Sequence, residues 1–392
     1  MAHYNHIIIG AGMTGDSAVK GIRSIDKKAS IAVIGSEKNK PYDRPPLTKK
    51  LWKGDHLESI WRKTLEENLH FYLGRNVTAI DAKMKHVTID GKEEVTYDKL
   101  LLATGGTVRK LEFKAEGIIY YRTVEDYLKL CDLTNSKNNF LIVGGGFIGS
   151  ELAAALSIHK KKVTMIFPEG SIGEKNYPKG LSNFITEYYK KKGVTLLSSD
   201  AVQDIAGSTD NFLVKTKSGK ELHFDSVIAG IGITPNTKLA ESIGLSIDNG
   251  IHVDEYCMTS DPNIFAAGDV ANFYNPALGK RIRIEHEDNA NKMGECAGRN
   301  MAGEEVKYDY LPNFYSDLFD LGYEAIGEMD SRHEMVEDWK EENKEGIIYY
   351  LDSGRIRGVL LWNVWEQIPN ARALIGAPGP FTIDNLKGLI RM

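Results

Sequence analysis

The sequence predicts an α/β chain built from two strand–turn–helix–strand units of one design, followed by a C-terminal α+β domain with an antiparallel sheet. Three observations predict it. An apolar strand, three spaced glycines, a helix, a second strand and an acid occur in that order at the N-terminus and again from Phe140 onward. Each unit later closes on a buried-strand run ending in glycine. Beyond Tyr310 the apolar residues come in short alternating runs with no third glycine motif, which is the signature of antiparallel strands.

The first unit opens with the strand Asn5 to Ile9, continues through Gly10-Ala11-Gly12-Met13-Thr14-Gly15 and a helical stretch to Lys20, and reaches a second strand, Ile31 to Ile34, that ends near Glu37. Gly10 permits a tight turn, Gly12 lets backbone N–H groups approach a pyrophosphate, and Gly15 brings helix close to strand. Glu37 stands where a carboxylate accepts hydrogen bonds from a ribose. The glycines alone say little, but strand, glycines, helix, strand and acid in sequence are the grammar of a Rossmann-like dinucleotide-binding domain.

The grammar returns in Phe140 to Val143, Gly144-Gly145-Gly146-Phe147-Ile148-Gly149, a helix from about Ser150 to His159, and the strand Val163 to Phe167 leading to Glu169. Gly144, Gly146 and Gly149 take the three glycine roles. Two such units imply two dinucleotides on one chain. A carboxylate at Glu169 pairs with free ribose hydroxyls and repels a 2′-phosphate, so the second nucleotide is expected to be NADH rather than NADPH. Lys160 to Lys162 lie at the far end of that strand from the acid.

Tyr97 to Gly106 and Phe224 to Gly232 share one shape, a buried strand running into glycines, and read as crossings between domains. Asp261 to Asp269 then puts a carboxylate at the end of a short apolar strand. In the C-terminal segment, Tyr323 to Gly327, Gly346 to Leu351 and Val359 to Trp362 read as strands and Ile368 to Ile375 as a helix, while Glu334 to Lys344 reads as a short charged stretch.

The 392 residues, 42% hydrophobic, suffice for two or three domains with sizeable cores. Forty-nine basic against 54 acidic residues give a formal charge of −5, which offers polyanions no general attraction and argues against nucleic acid. The runs Lys160 to Lys162 and Lys190 to Lys192 follow helices and complement their dipoles. Cys131, Cys257 and Cys296 lie far apart and form no C-x-x-C pair, so they give no sign of a redox dithiol or a metal site and read as ordinary buried thiols. The chain enters its first strand at once and has no apolar run of membrane-spanning length, so the expectation is no secretory signal, no membrane span and a cytoplasmic protein.

The crossings together with Ala267-Gly268-Asp269 resemble the two-dinucleotide-binding-domain flavoproteins. In those the first unit binds FAD, the second the nicotinamide nucleotide, and the chain then returns to the FAD domain. Tyr42 to Trp52, Gly144 to Glu151, Phe167-Pro168-Glu169, Arg283 to Ala290, Ser316-Asp317-Leu318, Leu321 to Gly327 and Val359 to Asn363 narrow the likeness further. The set resembles the apoptosis-inducing factor family, a branch of the ferredoxin-reductase-like flavoproteins, nearly end to end. The resemblance implies an FAD-binding domain of residues 1–110 and 236–308, an NAD-binding domain of 111–235 and a C-terminal domain of 309–392. Mitochondrial members carry a targeting region and a long C-terminal insertion that this sequence does not show, so no role in cell death is carried over. The single redox cysteine of the peroxidase-type relatives is also missing, Arg44-Pro45-Pro46-Leu47-Thr48-Lys49 standing in its segment.

The same resemblance implies the site. Lys49, held by Glu151, would be the catalytic pair beside the flavin, since a fixed cation stabilises charge arriving on the ring and buried charges persist when paired. Taken alone, Lys49 reads first as a solvated helix-start lysine beside Lys50, and it is the motif match that favours the catalytic role. Arg44 would meet the FAD phosphates and Asp269 the ribityl chain; a surface arginine is the plainer alternative for the first. Phe147 would wall the nicotinamide pocket, or simply pack its helix. His286 and Trp362 would flank the isoalloxazine, though a lone histidine among acids is usually a satisfied polar residue and a tryptophan in an apolar strand is usually core. The function implied is an NADH-dependent FAD oxidoreductase passing electrons to a ferredoxin or rubredoxin, a quinone or oxygen. The alternative is a redox-responsive binding protein whose reduced-FAD and NAD complex changes shape or oligomeric state, with a homodimer left open.

Overall fold

The computed structural model describes residues 1–64, 68–113 and 115–391. Their contacts divide the chain into two compact units, one of residues 1–44, 57–107 and 234–312, the other of 45–56, 108–233 and 313–392. The short segment Pro45–His56 therefore travels with the second unit although it is embedded in the sequence of the first.

In the first unit a sheet runs in the order Leu69–Leu73, Ile31–Gly35, Ala2–Ile9, Glu93–Leu102, His86–Ile89, Val77–Asp81, and Ile264–Ala266 also pairs with Glu93–Leu102. The contacts among the first four strands and Ile264–Ala266 are parallel, with Ile7 opposite both Ala32 and Leu100. Parallel strands are covered on both faces, which explains the unbroken apolar runs. Ile7, Ile8, Leu100 and Leu101 are wholly buried, each worth roughly 1.5–3 kcal/mol on transfer from water. The helix Met13–Ile25 buries Ala18, Val19 and Ile22 beneath it. That helix meets Glu287–Met301 so closely that a Cβ on Gly298 would stand 2.1 Å from the Ala18 carbonyl oxygen, so a side chain at Gly298 would force the pair apart.

His6 sits in this core at 6% exposure, its Nδ1 without a hydrogen-bond partner among the described residues. Burial is the main cause of a pKa lowered from 6.5 to about 4. The folded state thus keeps His6 neutral while the unfolded chain protonates it, and the associated stability, full above pH 6.5, is lost as pH falls towards 4. A shift of this size is worth about 3 kcal/mol. We expect the denaturation midpoint to fall through that window and His6→Leu to flatten the fall; an unchanged pH slope in the variant would clear His6 of responsibility.

In the second unit a parallel sheet is ordered Thr195–Ser198, Lys162–Phe167, Asn139–Val143, Ser226–Ala229, Ile119–Tyr120. An antiparallel meander of Val202–Ser208, Asn211–Thr216 and Glu221–Phe224 adjoins it in the chain. The helix Val124–Ser136 begins on a capping box in which Thr123 Oγ1 accepts from Asp126 N–H and the Asp126 carboxylate accepts from Thr123 N–H. The C-terminal sheet is antiparallel, in the order Asn313–Leu318, Leu321–Gly327, Arg355–Trp362, Glu345–Asp352, Glu334–Glu341. The charged stretch from Glu334 is therefore a strand, contrary to its sequence appearance. It lies at the sheet's edge, where charged side chains face water and discourage further pairing.

Candidate functional site

Each unit carries a glycine cradle at the C-terminal edge of its parallel strands. In the first, Gly10 has φ 124° and a Cβ there would lie 2.0 Å from the Ala103 carbonyl oxygen, while one on Gly15 would lie 2.1 Å from that of Gly10. Only glycine fits either place. A Cβ on Gly12, by contrast, meets nothing within 4 Å. The second cradle repeats the arrangement: Gly144 presses on Gly230, Gly149 on Gly144, and Gly146 faces open space. Gly12 and Gly146 are also the N-caps of Met13–Ile25 and Phe147–Ile158, and neither cap supplies a side-chain hydrogen bond. Helix N–H groups without a side-chain cap, behind a residue that bars no approach, suit the pyrophosphate of a dinucleotide.

Around the first cradle, Glu37 lies just past Ile31–Gly35. Its carboxylate takes a bond from Tyr42 Oη at 2.5 Å and an ion pair from Arg44. Burial works against the Arg44 guanidinium, but Tyr42, Glu37 and Asp269 outweigh it and hold its pKa above the ordinary value. Glu37 and Arg44, assigned separately to ribose and phosphate from the sequence, are thus partners of each other. Asp269 follows Ile264–Ala266 in a short turn, where a Cβ on Gly268 would stand 2.3 Å from Thr14 Oγ1 in the first turn of Met13–Ile25. The Asp269 carbonyl accepts from Arg283 Nη1 at 3.0 Å. His286 is the N-cap of Glu287–Met301 and half-buried. Glu37, Arg44 and Asp269 therefore gather with the cradle in one unit.

The second unit holds the buried ion pair. Two 3₁₀ turns, Pro45–Thr48 and Lys50–Lys53, flank Lys49. The Leu47 carbonyl accepts from Trp52 Nε1 at 2.8 Å and Tyr121 Oη at 2.5 Å, and His159 Nε2 bonds the Trp52 carbonyl oxygen at 2.8 Å. So held, Lys49 Nζ lies 2.8 Å from Glu151 Oε2, with side-chain exposures of 10% and 2%. Glu151 also accepts from Thr48 Oγ1 at 2.5 Å and Ser316 Oγ at 2.6 Å. Three donors satisfy a carboxylate whose burial would otherwise be costly.

Phe147 and Glu151 share a helix face one turn apart, and Phe314 and Ser316 share a strand face, so Phe147 meets Phe314 at 5.5 Å where Glu151 meets Ser316. Lys49 Nζ lies 5.1 Å from the centre of the Tyr315 ring, which is 41% exposed. Sequence analysis assigns no role to Tyr315, Thr48 or Ser316, although Thr48 and Ser316 lie in segments that carry the resemblance. Trp362, expected to flank the isoalloxazine, lies in the strand Arg355–Trp362 of the C-terminal sheet. It has no exposed surface, stacks on Tyr323 at 5.9 Å and donates from Nε1 to the Asn343 carbonyl at 3.0 Å. Its strand faces other strands and aromatic rings, which makes it core within this unit.

Glu169 lies past Lys162–Phe167, with a side chain 22% exposed and an ion pair to Lys175. No motif marks Lys175. Beside Gly144 and Pro168 a cavity of about 360 Å³ opens, lined by Leu111, Phe113, Val143, Ile166, Phe167 and Ile231 among others. Its apolar walls suit a flat base.

Two dinucleotide cradles on one chain, the second in the same unit as a buried lysine–carboxylate pair, define a pyridine-nucleotide-dependent oxidoreductase. The chain belongs to the pyridine nucleotide-disulphide oxidoreductase family, whose model matches residues 4–294. A second model, described as apoptosis-inducing factor, mitochondrion-associated, C-term, matches residues 332–377. The chain is 34% identical to apoptosis-inducing factor 1, mitochondrial, of Dictyostelium discoideum over 95% of its own length and 78% of that protein. It is 32% identical to the ferredoxin–NAD(+) reductase component of the anthranilate 1,2-dioxygenase system of Burkholderia cepacia, covering 95% and 94% of the two chains. Among solved structures, the covalent putidaredoxin reductase–putidaredoxin complex superposes with a TM-score of 0.88 at 29% identity, over 96% of this chain and 94% of that one. The protein is an FAD-containing oxidoreductase of NAD(H). No helix among the described residues is long and apolar enough to cross a membrane.

Proposed function

We propose that this chain takes reducing equivalents from NADH and delivers them singly to a small ferredoxin-type iron–sulfur protein in the cytoplasm. The repeated cradle with Lys49–Glu151 beside it carries the reading. Bound FAD supplies the exchange between two-electron and one-electron chemistry. The chain's own part is positional and electrostatic. Gly12 and Gly146 admit the pyrophosphates, Glu37 and Asp269 offer carboxylates to hydroxyls of the first nucleotide, and Arg44 offers a guanidinium to its phosphates. Lys49 presents an ammonium that Glu151 keeps in place and Tyr315 partly shields. The ferredoxin-type acceptor is supported by the names of the reductase relatives and by the putidaredoxin-bound neighbour.

Anaerobic reduction by NADH, followed by addition of an oxidised plant-type [2Fe–2S] ferredoxin or a rubredoxin, tests the proposal. Reoxidation of the flavin absorbance at rates well above those with oxygen or a benzoquinone supports it. A long-wavelength absorbance that persists with every acceptor, accompanied by a change in molecular mass, would overturn it in favour of a redox-responsive binding protein.

The Glu169–Lys175 pair sets a second expectation. Native protein should prefer NADH, and Glu169→Ala should narrow that preference by roughly tenfold, about 1.4 kcal/mol, because it removes the ribose acceptor and leaves the Lys175 ammonium for a 2′-phosphate. Adding Lys175→Ala should cancel the gain for NADPH. Equal reduction rates of the native protein by either nucleotide would count against Glu169.

A further inference from the structure

Lys175, whose ammonium pairs with Glu169, has a side chain 77% exposed, so packing does little to fix it. Its place comes from the backbone. The chain between Lys162–Phe167 and the helix Lys179–Lys191 turns on Gly173, at φ 69°, whose carbonyl accepts from Asn176 N–H at 2.8 Å and Tyr177 N–H at 2.9 Å. A Cβ on Gly173 would stand 2.1 Å from the Tyr177 ring. The first half of this loop is fastened to the helix that follows it: Ser171 Oγ bonds Ser182 Oγ at 2.7 Å and Ile172 N–H donates to Thr186 Oγ1 at 2.9 Å. The second half is fastened to the C-terminal domain instead. Ser331 N–H donates to the Lys175 carbonyl at 2.9 Å and Asn176 Nδ2 to the Met329 carbonyl at 3.0 Å. Tyr350 Oη donates to the Asn176 carbonyl at 2.6 Å and Tyr177 Oη to Tyr323 Oη at 3.1 Å. The Tyr177 ring is 4% exposed and seats against Tyr323 at 5.9 Å and Trp362 at 6.2 Å.

We propose, on the reading of Glu169 as the ribose acceptor, that Asn176 and Tyr177 are positioning residues for the nicotinamide nucleotide. They stitch residues 175–177 to the C-terminal domain, which thereby sets how firmly the Lys175 ammonium steadies the Glu169 carboxylate, and with it the affinity and selectivity of the second cradle. A loose loop would have to be ordered when the nucleotide arrives, at an entropic cost that falls on affinity, whereas a loop already tied down binds without that cost. An exposed ion pair gains little when both side chains must be immobilised to form it, and more when the backbone beneath one of them is fixed in advance. Glu169 is held by its own sheet, its carbonyl accepting from Ser199 N–H at 2.8 Å. Lys175 is therefore the member of the pair that depends on the stitch. The side chains that make the stitch, those of Asn176, Tyr177, Tyr323 and Tyr350, are uncharged, so it acts by position.

Stopped-flow reduction of the FAD-loaded protein by increasing NADH, and separately NADPH, reads the effect. Asn176→Ala should keep its FAD and its limiting rate at saturating NADH. It should need about tenfold more NADH for half-maximal reduction, the cost of ordering roughly one residue, and should prefer NADH less strongly than the native protein. Tyr177→Phe and Tyr350→Phe each lose one hydroxyl and keep their rings. They should shift half-saturation in the same direction by less, and they decide the matter if Asn176→Ala proves unstable. In a Glu169→Ala background Asn176→Ala should add little, because the carboxylate that the stitch steadies is gone. Native half-saturation in all three stitch variants, with Glu169→Ala impaired, would overturn the stitch alone. A Glu169→Ala protein with native use of NADH would overturn the ribose reading and the stitch with it. A loss equal for NADH and NADPH, or one that multiplies with that of Glu169→Ala, marks a merely structural effect and also counts against the proposal.

Discussion

Lys49→Ala should keep its FAD and lose about a hundredfold in the rate of flavin reduction by NADH. The ammonium is preorganised before reaction: Glu151 holds it at 2.8 Å, and Thr48 and Ser316 hold Glu151. Removing one such fixed contact to developing charge typically costs on the order of 3 kcal/mol in the transition state. Glu151→Ala should slow the same step, because a lysine released from its partner no longer has one position. The double substitution should cost clearly less than the sum, each side chain acting through the other. Glu151→Gln separates charge from geometry, since it keeps two polar atoms for Thr48 and Ser316 but removes the attraction that fixes the lysine. Stopped-flow reduction under excess NADH reads all four variants. An unaffected Lys49→Ala rate, or additive losses, would remove the pair from the mechanism.

What the sequence discloses about this protein depends on how local the physics is. A glycine on which a Cβ would stand 2.0–2.4 Å from a carbonyl oxygen is a constraint that falls within the local strand–turn–helix grammar, so Gly10, Gly15, Gly144 and Gly149 are legible together with the strands and helices that flank them. Boundaries moved only slightly: the helix expected from about Ser150 begins at Phe147, because the second glycine loop already has helical backbone there. The edge strand Glu334–Glu341 was hidden by its charges, which serve the sheet's rim rather than a core. The Lys49–Glu151 pair spans 102 positions, and only resemblance suggested it. Its further donors Thr48 and Ser316 lie in segments that carry the resemblance but have no pattern that marks their hydroxyls, and the ring of Tyr315 and Lys175 beside Glu169 have no local pattern at all. An aromatic residue at the end of an apolar strand, such as Trp362, reads alike from the sequence whether it faces a ligand or its own sheet.

The two cradles should be separable by one substitution in each. Gly12 and Gly146 have extended backbones, φ −91° and −80°, and an added Cβ at either meets no protein atom within 4 Å. Valine at these positions therefore costs the fold little, while its methyl groups occupy the approach to the helix N-terminus that a pyrophosphate needs. Gly146→Val should purify yellow, with FAD content and unfolding midpoint near the wild type, yet need at least a hundredfold more NADH for half-maximal flavin reduction. Gly12→Val should purify with little or no FAD. Gly10→Val and Gly144→Val serve as contrasts, because their methyl groups run into the backbone of Ala103 and Gly230 and should destabilise the protein whatever the ligand. Flavin absorbance per chain, thermal unfolding and NADH titration of the four proteins distinguish the outcomes. If Gly146→Val retains native NADH affinity, the second cradle does not hold the nicotinamide nucleotide; if Gly12→Val retains full FAD, the first does not hold the flavin.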